Sequence, residues 1–412
     1  MSCGPSPGKQ KNVKEDMMKQ FLKSICSMGW ITVLLISALS FGGAYAANDA
    51  AGAVGADSLN GTNWMAGIPD NRYISEINLP GTHDSATAYC KNATDNTVKL
   101  FGLPAFHVEK FAITQSLTLL EQLNAGVRYL DLRFSPKQGE LLLCHGNNDK
   151  IAAVNAVVRF LRRLNPVLLL AKRCNRSLPP LDTEFYAYED EACTVPLTCA
   201  RAFAQIKDFL KDHPSETVIV TAKKENGDTA SFLQLFDAQI QSLKSEINPA
   251  TRQAYLYTEN GNGVYTKMPA LSQVRGKIIL MTPFYEELQA GDMLDAKNKA
   301  GTTEYMGMTF RYENHWSVPA HLKTLLAARF LQKFSTQISK DPEQHLSCAN
   351  VLKTNASFVP LQSPYDIAMR VNGCLYAQNR LQKGRYYGWI MGDFMTEEAC
   401  RAIWQTNYFV FD

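Results

Sequence analysis

Charge of one sign is the first thing this sequence lacks. Its 42 Lys and Arg nearly cancel 39 Asp and Glu, for a formal net charge of +3. Five lysines (Lys9, Lys11, Lys14, Lys19, Lys23) against Glu15 and Asp16 hold that whole excess within residues 1–46, so residues 47–412 are formally neutral. A strongly basic nucleic-acid binder and an acidic solvating chain are both disfavoured. No internal repeat is visible, which argues against a repeat architecture. No Cys-x-x-Cys pair and no His-Glu-x-x-His occur, so the usual zinc signatures are missing. Gly261-Asn262-Gly263 lacks the third glycine and the strand-to-helix context of a dinucleotide site and reads as a turn. What is present is ordinary globular composition, 46% hydrophobic and 10% aromatic, enough for a large core.

Only one apolar run is long. Trp30 to Ser40 follows Lys19 and Lys23 and leads through Phe41-Gly42-Gly43 to Ala44-Tyr45-Ala46. That order of basic region, apolar core and small residues is that of a secretory signal peptide, expected over 1–46 with cleavage after Ala46. The run breaks into glycines before it reaches the roughly 20 residues of a membrane span. The expected localisation is secreted or periplasmic. Eight cysteines lie beyond Ala46 (Cys90, Cys144, Cys174, Cys193, Cys199, Cys348, Cys374, Cys400), and in an oxidising compartment some are expected to be bridged. The pairing stays open, because eight cysteines allow about 105 connectivities. Asn-x-Ser/Thr sequons stand at Asn60, Asn92, Asn175 and Asn355.

Residues 47–72, rich in Ala, Gly, Asn and Asp, read as an extended lead-in. From Tyr73 onward, β-rich runs alternate with helical patterns. Strands are expected near Ile74–Leu79, Val127–Phe134, Glu140–Cys144, Thr217–Ala222, Lys277–Met281 and Tyr387–Met391. Helices are expected near Ser116–Asn124, Ile151–Leu164, Cys199–Lys211, Ala230–Ile247, Pro319–Phe334 and Thr396–Trp404. Such alternation implies parallel strands with helical crossovers, an α/β fold. A single distorted (β/α) TIM-type barrel with insertions fits residues 73–412 better than two domains. The expected insertion lies near 165–200, where Arg173–Thr198 carries three prolines and two cysteines and reads as a disulfide-pinned loop outside the barrel.

In barrels of this kind chemistry gathers where strands end. Ile74–Leu79 runs into Pro80-Gly81-Thr82-His83-Asp84-Ser85, and Val127–Leu132 presents Asp131 and Arg133. Leu141–Cys144 ends in His145-Gly146, and Val218–Ala222 ends in Lys223-Lys224-Glu225. Each has a bland explanation, since a lone histidine after a strand is more often structural and Lys-Lys-Glu is usually an exposed face. Together they make a general base, a general acid and an anion clamp, the set needed to cleave a phosphodiester without metal. Histidine suits both proton roles because its unperturbed pKa is near 6.5. The arginine fork can hold two phosphate oxygens and stays charged. Pro319–Phe334 has apolar spacing suited to burial against a barrel, and His315-Trp316 with Tyr305 and Phe310 reads as core packing ahead of an interfacial patch.

The same residues resemble the secreted bacterial phosphatidylinositol-specific phospholipases C, which share their catalytic domain with the X region of eukaryotic phospholipases C. The resemblance runs from about Tyr73 to Asp393 and keeps the family's order of motifs. These are Leu79-Pro80-Gly81-Thr82-His83-Asp84-Ser85, Thr114-Gln115, Gln122-Leu123, Gly126-Val127-Arg128-Tyr129-Leu130-Asp131-Leu132-Arg133 and His145-Gly146. Pro214-Ser215-Glu216-Thr217-Val218-Ile219, Lys223-Lys224-Glu225, Arg275-Gly276-Lys277-Ile278, Ser363-Pro364-Tyr365 and Gly388-Trp389-Ile390 leading to Asp393 follow.

The resemblance implies an enzyme, a phosphorus–oxygen lyase that cleaves phosphatidylinositol to diacylglycerol and inositol 1,2-cyclic phosphate. His83 would be the general base oriented by Asp393, His145 the general acid coupled to Asp84, Arg133 the phosphate clamp and Lys223 an inositol-pocket residue. It implies no cofactor and no metal, because a guanidinium replaces the acidic residue that helps bind Ca²⁺ in the calcium-dependent relatives. The implied partner is phosphatidylinositol in membranes, through peripheral and transient contact, with no nucleic acid. A monomer is the favoured state. Whether glycosylated phosphatidylinositol anchors are also cleaved is open. The sequence departs from the family where Arg-Gly-Lys-Ile continues into Met281-Thr282-Pro283-Phe284 without the family's pocket arginine. It also departs near Phe310-Arg311-Tyr312-Glu313, where the acidic pocket segment should fall, and in the cysteine-bearing insertion. The alternatives are a related phosphodiesterase of different head-group specificity and a non-catalytic lipid- or glycan-binding barrel.

Overall fold

The structure is a computed structural model that describes residues 59–92, 97–100, 103–146, 185–258, 268–282, 299–305, 308–338, 348–358, 361–376 and 380–410. The expected signal peptide at 1–46, the helix near 151–164, the turn at 261–263 and Cys174 lie outside them.

Eleven strands form one mixed sheet. They are β1 Leu79–Thr82, β2 Cys90–Asn92, β3 Tyr129–Lys137, β4 Glu140–His145, β5 Phe185–Ala187, β6 Val218–Lys224, β7 Ile278–Met281, β8 Lys299–Tyr305, β9 Met308–Asn314, β10 Cys348–Lys353 and β11 Trp389–Gly392. Seven run parallel in the order β9-β10-β11-β1-β3-β6-β7. Helices α1 Leu119–Ala125, α2 Cys199–Asp212, α3 Thr229–Ser245, α4 Leu271–Val274, α5 Ala320–Phe334, α6 Pro364–Leu375 and α7 Glu397–Trp404 intersperse the strands. The last parallel strand, β11, lies beside the first, β1, as the winding of a barrel requires. Among the described residues β7 and β8 do not pair with each other, so the closed barrel expected from sequence reduces here to a mixed α/β sheet of that winding. An antiparallel arm, β3-β4-β5-β2, branches from the sheet.

Alternation along β3 sorts its side chains into two sets, because successive residues point to opposite faces. Leu130, Leu132 and Phe134 are fully buried, and Phe134 meets Phe236 of α3 with ring centroids 6.0 Å apart. Tyr129 packs edge-on against Trp389 of β11 at 5.5 Å, and Trp389 against Phe310 of β9 at 6.3 Å. Phe310 is therefore core, as the sequence reading favoured. Asp131 and Arg133 continue the Tyr129 set toward the C-terminal end of the strand.

Local signals explain how the strands are delivered. Thr118 caps α1 in a reciprocal capping box with Glu121, and Gly126 ends it at φ 109°, the left-handed value that favours glycine. Gly388, at φ 89°, turns the chain into β11, and a Cβ there would lie 2.3 Å from the Asn350 carbonyl oxygen. Below β3, Arg128 and Glu216 form an ion pair at 2.8 Å in which both side chains are fully enclosed.

Four expectations are corrected. The first strand is Leu79–Thr82 rather than Ile74–Leu79, because Ile74–Glu76 forms a 3-10 turn in which the Tyr73 amide donates to Glu76 Oε2 at 3.1 Å. The body begins before Tyr73: Trp64–Gly67 is a 3-10 turn whose Trp64 stacks on Trp404 at 6.3 Å, so the later part of the expected lead-in is packed structure. Within the described end of the 165–200 segment, β5 belongs to the sheet, and α2 starts at Cys199. The turn after β5 is pinned by Asp190, which accepts from the Thr194 amide (3.0 Å), the Thr194 hydroxyl (2.8 Å) and the Val195 amide (3.0 Å). Among the described cysteines, Cys193 and Cys199 included, no disulfide joins one to another, so the bridges expected there are not formed among them. No described helix is long and apolar enough to cross a membrane.

Candidate active site

The loop after β1 carries His83 and Asp84, and a buried polar frame holds it. The His83 amide donates to the Gly392 carbonyl at 3.0 Å, which ties the loop to the end of β11. Gln115 Nε2 donates to the carbonyls of His83 (2.8 Å) and Gly392 (3.0 Å), and Thr114 Oγ1 donates to the His83 carbonyl (3.0 Å). Gln122 Nε2 reaches the Ser85 carbonyl at 2.7 Å, and the Asp131 amide donates to Ser85 Oγ at 2.8 Å. Thr114, Gln115, Gln122, Thr82 and Ser85 are all buried, so the polar residues of these motifs are framework rather than reactants. Asp84 sits at φ 43°, a left-handed conformation that aspartate tolerates better than most side chains.

Six predicted residues converge on one centre. His83 Nδ1 lies 2.9 Å from Asp393 Oδ1, and its Nε2 lies 3.0 Å from Arg133 Nη2. Guanidinium only donates, so Nε2 is the acceptor and the ring proton sits on Nδ1, donated to Asp393. His83 Nε2 thereby keeps its lone pair toward the guanidinium. His145 is oriented the other way: Nδ1 donates to the Ala112 carbonyl at 2.7 Å while Nε2 faces Asp84 Oδ2 at 3.1 Å. Both of its nitrogens meet acceptors, which suits the protonated ring a general acid needs. The two rings stand nearly perpendicular with centroids 6.4 Å apart. Lys223 reaches Asp131 Oδ1 at 2.9 Å from the end of β6.

Arg133 is the hub. Its Nε pairs with Asp84 Oδ1, its Nη2 with Asp131 Oδ2 at 2.9 Å, and its Nη1 stands 3.6 Å from Glu225 Oε2. Asp131 and Glu225 thereby join the residues expected at the site. The spacing Asp131-Leu132-Arg133 puts both charged groups on one strand face, and the register Arg133↔Lys223 brings β6 alongside. Glu225 Oε1 accepts from the Gly146 amide at 3.2 Å, and Asn226 Nδ2 donates to the Gly146 carbonyl at 3.1 Å, so the peptide after His145 is held at both ends.

Electrostatics follow from burial. Burial, reinforced by the Arg133 charge, pushes the His83 pKa well below its ordinary value. Burial and neighbouring Asp84 push the Asp393 carboxyl well above the usual range, which strengthens its hold on the Nδ1 proton. Burial likewise raises Asp84. Burial opposes ionisation of Asp131 too, but Arg133 and Lys223 outweigh it and hold that carboxyl well below the usual range. Burial lowers Arg133, yet Asp131, Asp84 and Glu225 more than compensate and its pKa rises. His83, Asp84 and Asp131 offer ligand atoms within 4.8 Å of one another, a spacing that could hold a cation. The guanidinium touches all three.

A paired base and acid arranged about a cationic clamp is the equipment of an acid–base enzyme on an α/β scaffold. No protein-family model matches the chain. Among curated proteins, a 1-phosphatidylinositol phosphodiesterase of Listeria monocytogenes is 25% identical over 361 residues, covering 86% of this chain and 87% of that protein. One of Staphylococcus aureus (strain Newman) is 22% identical over 226 residues, 54% of this chain and 52% of its own. The human PI-PLC X domain-containing protein 3 is 32% identical over 125 residues, 25% of this chain and 39% of its own. Among solved structures, the S. aureus phosphatidylinositol-specific phospholipase C superposes with a TM-score of 0.58 at 17% identity, covering 84% of this chain and 98% of that one. The L. monocytogenes enzyme superposes with a TM-score of 0.55 at 18% identity over 85% and 99%. The chain is thus similar in sequence to bacterial 1-phosphatidylinositol phosphodiesterases, and it shares the fold of the solved phosphatidylinositol-specific phospholipases C.

Proposed function

We propose that the protein is a phospholipase C that cleaves phosphatidylinositol to diacylglycerol and inositol 1,2-cyclic phosphate by metal-independent general base and general acid catalysis. The observation that carries the reading is the opposed setting of the two histidines about Arg133. The substrate phosphate draws the Arg133 guanidinium, which frees the lone pair on His83 Nε2. That nitrogen takes the proton of the inositol 2-hydroxyl, and the oxygen attacks the adjacent phosphorus. The phosphorus–oxygen bond to diacylglycerol breaks, and the departing oxygen takes the proton from His145 Nε2. The nucleophile belongs to the substrate, so proximity is already supplied. The protein provides proton transfer, stabilisation of the His83 imidazolium by Asp393, and charge neutralisation by Arg133 and Lys223.

The resident guanidinium supports metal independence, because it meets the three groups that a cation would otherwise bind. The signal-peptide pattern of residues 1–46 supports a secreted or periplasmic protein. Membrane contact would be peripheral, as the substrate is a bilayer lipid. The test is phosphorus NMR of phosphatidylinositol micelles incubated with the protein in EDTA. A cyclic phosphodiester resonance is expected; turnover that appears only when Ca²⁺ is added would refute metal independence, and no turnover in either condition would refute the activity.

A further inference from the structure

The strand ends around the mouth carry polar side chains that partner one another. Near the end of β9, Glu313 accepts from Lys323 Nζ at 2.7 Å and lies 2.9 Å from His315 Nδ1, and Asp393 just past β11 holds His83. Thr354, just past β10, bonds the Met391 carbonyl through its hydroxyl at 3.2 Å. Asn355, the next residue, differs. It is only 5% exposed, yet its buried Oδ1 meets no donor among the described residues. Buried polar groups are nearly always paired, because an unpaired one forfeits its hydration without return. Asn350 and Asn372 also have unpaired Oδ1 atoms, but their amide nitrogens are spent on the carbonyls of Phe334 and of Asp393 and Phe394. Their role is therefore in the framework. Asn355 stands between Thr354, whose amide donates to Met391, and Ala356, whose amide bonds Asp393. It thus adjoins the carboxylate that orients the base.

We propose that Asn355 is a specificity-determining residue that hydrogen-bonds a ring hydroxyl of a cyclic polyol head group, other than the hydroxyl that attacks phosphorus. The assignment rests on the phosphodiesterase reading above. The side-chain amide suits the task, since it can accept from one hydroxyl and donate to another. A pocket built to hydrogen-bond a hydroxyl discriminates strongly against an analogue that lacks it, because its own polar group is then stranded.

The test compares two substrates on the full chain: phosphatidylinositol, and an alkyl phosphodiester of cis-1,2-cyclohexanediol, which keeps the attacking hydroxyl and lacks the others. The readout is the ratio of their kcat/KM values. In Asn355→Leu this ratio should fall by about tenfold or more, with a melting temperature equal to or above that of the wild type, because an unpaired buried amide has been removed. Asn355→Asp, which keeps an acceptor oxygen, should retain more of the ratio than Asn355→Leu. A ratio within twofold of wild type in Asn355→Leu would overturn the proposal. So would parallel loss of both substrates with a lowered melting temperature, the signature of a structural role. A wild-type chain that cleaves neither substrate contradicts the functional reading itself, and this assignment falls with it.

Discussion

Arg128 and Arg133 lie five residues apart in one stretch of chain, and the two ends of that stretch use the same side chain for opposite purposes. At the base of the sheet Arg128 donates to Glu216 and to the carbonyls of Leu123, Val127 and Gly61, and its guanidinium lies 4.6 Å from the Phe209 ring centroid. One cation meets one anion, its remaining donors meet backbone carbonyls, and nothing there needs to move. At the mouth Arg133 is shared among Asp84, Asp131, Glu225 and His83, and two of those groups have strongly displaced pKa values. The difference teaches how to read a buried arginine: finished partnerships mark structure, and a contested one beside titratable groups marks chemistry.

The sharpest way to break this comparison is to remove the histidines. His83→Ala and His145→Ala should each lower kcat by about 10²–10⁴-fold, as expected for loss of a general base or acid. Both should keep the circular dichroism spectrum of the parent, and near-normal turnover in either folded variant would undo the assigned roles. Arg128→Met should act instead on stability, costing about 3–5 kcal/mol in urea unfolding because it strands Glu216. Its turnover per folded molecule should stay close to that of the parent; a catalytic defect at unchanged stability would erase the distinction between the two arginines.

A further variant, at Arg133, sharpens the electrostatics. Burial and Arg133 depress the His83 pKa, so the folded state favours neutral imidazole. The associated stability is fully present above the unfolded value of about 6.5 and is lost as pH falls from there through the depressed folded value. The acid limb of kcat/KM should therefore lie below about pH 6.5. Arg133→Met should move the His83 titration, followed by NMR, upward toward 6.5; an unmoved titration would show that burial alone sets it. The smallest effect belongs to Asn226. Asn226→Ala removes one hydrogen bond to the peptide after His145 and should lower kcat by up to about tenfold, with KM little changed.

Much of this was legible in the sequence, for reasons the structure makes specific. The motif Thr82-His83-Asp84-Ser85 could be read because the reactive pair and the groups that hold its loop are contiguous. Asp131 is legible beside Arg133 at the end of its strand, whereas Glu225 hides in Lys-Lys-Glu, which usually marks an exposed face; the register of β3 with β6 brings both to Arg133. The strand preceding His83 starts later than its pattern suggests because Ile74 and Ile77 read as strand residues, while the Tyr73 amide donates to the Glu76 carboxylate and the segment turns. β8 and β10 were missed because Lys299–Tyr305 is polar and Cys348–Lys353 mixes Asn350 and Lys353 into a buried strand. Helix α6 did carry a readable start: Ser363 caps it in a box with Asp366, with proline in its first turn. Asn355 could not have been found from sequence, since an unpaired amide is a property of the packed mouth alone.

The central claim is that the mouth sorts two histidines into base and acid by the partners of their ring nitrogens. Nitrogen-15 NMR of the histidine side chains reads this directly. The account predicts that His83 carries its proton on Nδ1 and leaves Nε2 unprotonated at pH 6.5, while His145 keeps a proton on Nδ1. A His83 ring protonated on Nε2 at that pH, or a His145 ring without its Nδ1 proton, would contradict it.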